Sequence, residues 1–390
     1  MTSLVIEENW RKCPPDVFVE PHSVHHGIWK VHFEEQKKEA LQQTLSQEFG
    51  ANLAPSVLSH LYDHLDQLCL IIIDDHRAKV IQAPSLELQV KSEERKATPI
   101  LSKSFISQTL VENLYQACPH ALTISFEKKD PIFLVKFLND SPTDEILQYV
   151  RFEIKDHIKA QCFIFEDEKT ERTYSQKRID FVIHDHAELN QNLILKDGAT
   201  HRLFERFVVL NEHAKFFEHQ FISSNSKIAK LFSCIDFEGA HAESKGGTAM
   251  LAKKGLFDYE PIQRHKAVSG KSDLLVNMIG TKKSRSIFQG LIHVTPKGDK
   301  TDARQINKNL LLSEYARIDA VPRLEIIPND VMCKHGTATS GLDENQIYYL
   351  ETRGFKKSEA ENILIHAFLL RAAQDDSLFL EQLSFELKEV

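Results

Sequence analysis

Two early stretches repeat apolar residues at three- and four-residue spacing. Phe33, Ala40, Leu41, Thr44, Leu45 and Phe49 form one stripe; Leu53, Val57, Leu58, Leu61, Leu65 and Leu68 form another. Each predicts an amphipathic helix, with Gly50 and Pro55 as punctuation. The charged stretch 91–99 reads as a linker. From about Ala121 the period falls to two. Leu122, Ile124 and Phe126 alternate with polar neighbours. Lys129-Asp130-Pro131 makes a turn, and Phe133, Val135 and Phe137 follow. Val150, Phe152 and Ile154 alternate, as do Ile158, Ala160, Cys162 and Ile164, and strand-like patterns continue to about Val294.

Within this β stretch a short phrase returns: Asp156-His157-Ile158, Asp185-His186-Ala187, Asp197-Gly198-Ala199 and Glu212-His213-Ala214. An acidic residue and a His or Gly precede a small or apolar residue, with apolar strand on both sides. A repeated strand–corner–strand unit predicts a β-solenoid, in which each turn needs the next to bury its apolar face. The repeat is irregular, so a sandwich or closed barrel stays open. The last 70 or so residues return to helix. Asp343 to Gln346 and Ser358 to Glu361 have capping-box form. Ile347, Tyr348 and Leu350 follow the first, with Gly354 as its stop. Ala360, Ile363, Leu364, Ala367 and Phe368 share a face after the second, and a third helix starts near Asp376 and carries Leu380 and Leu383.

Composition narrows the classes. The 390 residues are 42% hydrophobic and 27% charged, as in ordinary globular chains. The net charge of −8 argues against a general nucleic-acid binder. Fourteen glycines are few for a glycine-rich nucleotide fold. The longest apolar run, Leu68 to Ile73, is too short to cross a bilayer. Met1 to Trp10 lacks a basic start and apolar stretch, so no secretory leader is expected. Six dispersed cysteines with no CxxC point to a reducing, cytoplasmic setting rather than to a disulfide framework.

Gly270-Lys271-Ser272 resembles the end of a P-loop, but the position that needs glycine is His265, so a surface turn is the better reading. His60 and His64 lie four apart on a helix without a third ligand, and solvated side chains are expected. His22, His25 and His26 cluster near the start without clear structure. Cys333 and His335 lie two apart. In an extended segment both would face one side, where a thiolate and an imidazole could share a soft metal. Two ligands are too few, so a partner chain would have to complete such a site. A buried structural cysteine is the competing reading.

The stretch from Phe288 to Phe368 carries Phe288-Gln289-Gly290, Lys300 to Gln305, Asn309 to Ser313, Pro322 to Ile326, Asp330 to Gly336, Leu342 to Leu350 and Thr352-Arg353-Gly354. These pieces, in this order and spacing, resemble the SufB/SufD family of iron–sulfur cluster assembly proteins. Weaker likeness, including His265 with Ser269 and Ser272, extends back through the β region; the first 100 residues match poorly. The matches follow the SufD-like branch, which reads TDA-x-Q…NLLLS and C-x-HGA. SufB-like members carry a cysteine in the NLLLS segment and His-Glu in place of His-Gly. This chain departs from the common HGAT with Thr337-Ala338-Thr339 after Gly336.

The resemblance implies a mainly β fold with flanking α: a right-handed parallel β-helix over 101–318, between an N-terminal helical domain and linker over 1–100 and a C-terminal helical domain over 319–390. It implies a non-catalytic scaffold subunit that pairs with a SufB-like subunit and docks a SufC-like ABC ATPase. A transient iron–sulfur cluster is expected at the interface, with none bound permanently. His335 and Cys333 are its expected ligands. Tyr348, Tyr349 and Arg353 are the expected ATPase contact, against the reading that one tyrosine packs inward. Whether the isolated chain pairs with itself stays open. The alternatives are a SufB-like primary scaffold and a β-helix carbohydrate-active enzyme.

Overall fold

Residues that alternate with period two bury one face, and residues apolar at every position bury both. Both kinds of strand occur here. In a computed structural model, residues 30–74, 77–83, 85–94, 120–138, 145–167, 172–196 and 199–388 are described. Their strands form two eleven-stranded sheets. Each coil gives one strand to each sheet, and successive coils pair in parallel. The result is a parallel β-solenoid of about seven turns. Sandwich and barrel are thereby excluded.

Lys159, Glu188, Lys215, Glu243, Lys271 and Asp302 hold one rung position on successive coils. The differences between these numbers make the repeat 27 to 31 residues long. This uneven length is why the repeated phrase looks irregular in sequence. Inside the solenoid, Phe126, Phe133, Phe152, Phe181 and Phe216 form a continuous ladder, with neighbouring ring centroids 4.6 to 6.3 Å apart. The interior also holds ionic groups: Lys177 and Arg202 both bond Glu166, and Arg206 bonds Glu218.

The helices lie along the outside of the first sheet. α1 (Lys38–Phe49) and α2 (Pro55–Asp63) bury Leu41, Leu45, Phe49, Val57 and Leu61 against it. From the other terminus come α3 (Glu344–Thr352), α4 (Lys357–Leu370) and α5 (Ser377–Leu387). Leu369, Phe379, Leu383 and Leu387 join the same outer core. The two terminal helical groups touch, since Gln382 accepts from the Ala54 amide at 2.9 Å and donates to the Asn52 carbonyl at 2.7 Å. Gly247 permits the docking: a Cβ there would sit 1.7 Å from the Ala372 carbonyl oxygen.

Several local expectations change. The first hundred residues also hold strands, at Lys30–Glu35, Leu68–Asp74, Arg77–Gln82 and Glu87–Glu94. The last overlaps the expected linker; positions 95–99 lie outside the described residues. The solenoid runs past position 318, with strands at Arg323–Ile326 and Met332–Ser340. α4 starts at Lys357, where the Glu359 side chain accepts from the Lys356 amide. It buries Ala360 and Leu369, while Ile363 and Ala367 are exposed.

Candidate functional site at the last coil

The two ends of the solenoid differ. At the N-terminal end the sheets include antiparallel pairs, Arg77–Gln82 against Leu68–Asp74 and Glu87–Glu94 against His120–Lys128, and Lys30–Glu35 is the outermost strand of the first sheet. At the other end Met332–Ser340 and Arg317–Ala320 are the outermost strands of their sheets. Leu324 and Ile326 occupy the positions that pair with buried Ile292 and Val294, yet both are exposed. Ile327 and Met332 are also exposed. Among the described residues this edge is uncovered, and an open edge with apolar residues is a surface that invites another chain.

Cys333 and His335 lie on this last coil. Their strand pairs in parallel with Asp302–Leu311, setting Cys333 beside Ala303 and His335 beside Gln305. Thr337 and Thr339 follow beside Asn307 and Asn309. Ala303, Gln305, Asn307 and Asn309 are buried. Because alternate residues share a face, Cys333 and His335 belong to one rank, as their spacing predicts. The floor below is polar. Asn309 donates to Asn307 at 2.8 Å and to Thr339 at 3.1 Å, and Thr337 donates to Asn307 at 3.3 Å. The Gln305 carboxamide, under His335, has no hydrogen-bond partner at either end. Gly290 leaves room for it, since a Cβ there would meet its Oε1 at 1.9 Å.

The two side chains differ chemically. Cys333 is half-buried against Ile292, Val294 and Ala303. Burial pushes its thiol above the ordinary range, so a metal would have to displace a proton to bind it. His335 is exposed and offers its imidazole to an incoming chain. Beside it, Gly336 has open space where a Cβ would lie, so no described residue requires glycine there. Among the described residues, no three His, Cys, Asp or Glu side chains converge as a metal site.

A family model described as the SUF system FeS cluster assembly SufBD core domain matches residues 139–368, more than half of the chain. The chain belongs to the SufBD family of iron–sulfur cluster assembly proteins. It is similar to the SufD protein of Escherichia coli K12, with 24% identity over 343 residues, covering 84% of this chain and 81% of that protein. The SufD protein of Bacillus subtilis 168 is 35% identical over 105 residues, 27% of this chain and 24% of that protein. A SufBD family protein of Synechocystis is 35% identical over 99 residues, 25% of this chain and 22% of that protein.

In this SufBD-family chain the C-terminal helices hold a second surface. The Asp343 side chain caps α3 through the Asn345 amide, at 2.9 Å, and Gly354 ends it with φ +96°. Ile347 packs inward, leaving Tyr348 and Tyr349 at 69% and 57% exposure. The competing reading, in which one tyrosine packs inward to hold the helix, does not hold: Ile347 fills that place. Arg353 stacks 5.1 Å from the Tyr349 ring centroid and donates to its hydroxyl at 3.2 Å. Phe355 and Ile363 add exposed apolar area nearby in sequence.

The other flagged residues fall elsewhere. Gly270 ends a corner and Lys271 and Ser272 begin the strand Lys271–Gly280; Lys271 is exposed but Gly270 and Ser272 are buried, so the expected surface turn is corrected to a strand entrance. His265 is buried, stacks on Phe237 at 4.0 Å and shares a 2.9 Å hydrogen bond with the Ser272 hydroxyl. Burial lowers its imidazole to about 3, so it is neutral core. His60 and His64 have ring centroids 4.4 Å apart, and His64 Nδ1 lies 2.8 Å from the His60 carbonyl oxygen. His22, His25 and His26 lie outside the described residues. No described helix is long and apolar enough to cross a membrane.

Proposed function

We propose that this chain is a SufD-type scaffold subunit without catalytic activity of its own. It pairs through its last coil with a SufB-like subunit, and the nascent cluster is their shared cargo. The observation that carries this reading is a last coil that no other described residues cover: two outermost strands, exposed Leu324, Ile326 and Met332, and His335 in the same rank as Cys333. A neutral imidazole is a competent iron ligand, and it holds a cluster less firmly than a thiolate does. That suits a scaffold that must release what it builds. The partner supplies the remaining ligands. His335 is the leading ligand from this chain, and Cys333, with its raised thiol pKa, the lesser one.

The Tyr348, Tyr349 and Arg353 surface is the docking site for a SufC-like ATPase, because exposed aromatics beside an arginine are the residue types that dominate interface energies. Four free cysteines among the described residues accord with a cytoplasmic setting. Pairing of the isolated chain with itself would use the same uncovered coil, so it would compete with the SufB-like partner.

The test uses the free edge. The Met332 amide bonds the Thr301 carbonyl, so the amides of Met332, Lys334 and Gly336 face the neighbouring strand and that of Thr337 faces outward. Thr337→Pro removes an outward donor and leaves that ladder intact. The variant should stay folded and fail to co-elute with the SufB-like subunit. Normal co-elution would count against pairing at this edge.

A further inference from the structure

Four histidines stand in a column on the outside of the solenoid. His157, His186, His213 and His241 occupy the same corner of four consecutive coils, and Ser269 and Lys300 continue the column on the next two. All six have left-handed backbone, with φ between 55° and 64°. Each of their amides donates to a carbonyl of the following coil, at 2.6 to 3.1 Å. The four imidazoles stack with ring centroids 5.1, 4.8 and 4.8 Å apart. They and the Lys300 side chain are exposed.

Left-handed backbone accepts Asn, Asp and His more readily than most residues. None of the six positions carries Asn or Asp; each has an imidazole, a hydroxyl or an ammonium group. The column thus offers hydrogen-bond donors and, at Lys300, positive charge, with no carboxylate of its own. Asp156, Asp185 and Glu212 each precede a histidine, but they do not line the groove that runs beside the column. The Asp185 carboxylate instead accepts from the Glu212 amide at 3.0 Å.

That groove is open and has a volume of about 700 Å³. One wall is the column from His186 to Lys300. The other is a row in which Lys159, Glu188, Lys215, Glu243 and Lys271 sit side by side on successive strands. Four lysines against two glutamates leave an excess of two positive charges. All four lysines are exposed, and none forms an ion pair among the described residues. Further along the same strands, similar side chains already hold carboxylates. Lys245 pairs with Asp375, and His219 and Asn190 both face Asp376.

The geometry points to a docking groove for a flexible acidic segment of a partner protein, with a carboxylate at every third residue. Neighbouring strands lie about 4.8 Å apart. Lys159, Lys215 and Lys271 stand on alternate strands, so about 9.6 Å separates one from the next. A polyproline II segment, a major conformer of unfolded chains, repeats every three residues, or about 9.3 Å. Carboxylates at its first, fourth and seventh residues therefore meet the three lysines in turn, and Lys300 lies on the coil after Lys271. The residues between them pass over Glu188 and Glu243 and carry no charge. A uniform polyanion, such as a nucleic acid or polyphosphate, has no such gaps and would meet both glutamates. From the opposite wall the exposed imidazoles donate to oxygens of the segment. The inference is independent of the role proposed for the last coil.

The test titrates the full chain against a fluorescein-labelled, amidated peptide of sequence EPAEPAE and follows anisotropy. Binding should saturate below millimolar concentration and weaken with added salt. Lys215→Ala should weaken it about 3- to 5-fold, the loss of one exposed ion pair. His213→Asn keeps a residue that tolerates left-handed backbone and should weaken it about 3-fold. Replacing Lys159, Lys215 and Lys271 together by Ala should abolish binding and leave the melting temperature unchanged. Lys283→Ala, an equal loss of charge outside the groove, should change nothing. The peptide EAEAEPP has the same composition with carboxylates at two-residue spacing and should bind more weakly. No binding at millimolar EPAEPAE, wild-type affinity in the triple variant, or equal affinity for the two peptides would overturn the inference. So would tighter binding, through the same lysines, of a single-stranded oligonucleotide or polyphosphate of equal charge.

Discussion

Replacing His265 with Gln should remove a defined part of the chain's sensitivity to acid. The ring is buried between Phe237 and Ser272, and burial lowers its pKa to about 3, against an ordinary 6.5. Between those values the unfolded chain binds a proton that the folded chain refuses. Stability from this residue is therefore complete above 6.5 and declines as pH falls toward 3. From pH 7 to pH 5 the difference in proton binding amounts to about 2 kcal/mol. Glutamine keeps a donor for the Ser272 hydroxyl and does not titrate. The assay is urea unfolding followed by circular dichroism at both pH values. The wild type should lose about 2 kcal/mol more than the variant over this interval, whatever the variant's absolute stability. His184 and His219, which burial also lowers, contribute equally to both proteins and cancel. Equal losses in the two proteins would refute the buried neutral imidazole.

Val135 is fully buried between Ile71 and Ile164 on adjacent strands. Val135→Asp puts an unpaired carboxylate among three coils and should destabilise by about 4 kcal/mol or more. It should give insoluble protein or a large drop in melting temperature; a wild-type melt would contradict the strand phase. Arg353→Glu reverses the charge stacked on Tyr349. It should weaken capture of the SufC-like ATPase by about 30-fold, the equivalent of a ~2 kcal/mol hot spot. Circular dichroism should stay unchanged, and undiminished capture would remove the docking assignment.

The interior of the solenoid was legible because its strands alternate. Leu122, Ile124 and Phe126, then Val150, Phe152 and Ile154, all turn inward as their spacing predicts. The corner phrase was also real: His157, His186 and His213 mark three successive turns, while Asp197 and Gly198 lie outside the described residues. The fourth histidine of the column escaped notice because Ala240 stands where the earlier coils have an acidic residue. The strand Leu68–Asp74 was hidden for a different reason. The helices cover its outer face, so both faces are apolar and the period of two vanishes. The last coil lacks alternation in burial because no further coil among the described residues packs on it. No pattern of burial marks Met332–Ser340; the two-residue spacing of Cys333 and His335 singled out the pair, and the family resemblance supplied the role expected of it. In the C-terminal helices, spacing identified the elements but misjudged the faces. Ile363 and Ala367, expected on the apolar face of their helix, are exposed among the described residues, as are Tyr348 and Tyr349.

The central claim is that the last coil holds a nascent cluster at the boundary with a SufB-like subunit, with His335 as a ligand from this side. The most direct measurement is the iron and acid-labile sulfide content of the anaerobically purified complex with His335→Ala. The complex should assemble with normal stoichiometry and carry markedly less of both elements, with Cys333→Ser reducing them less. Wild-type iron and sulfide in the His335→Ala complex would contradict the ligand role. Loss of the complex itself would show His335 to be an interface residue instead.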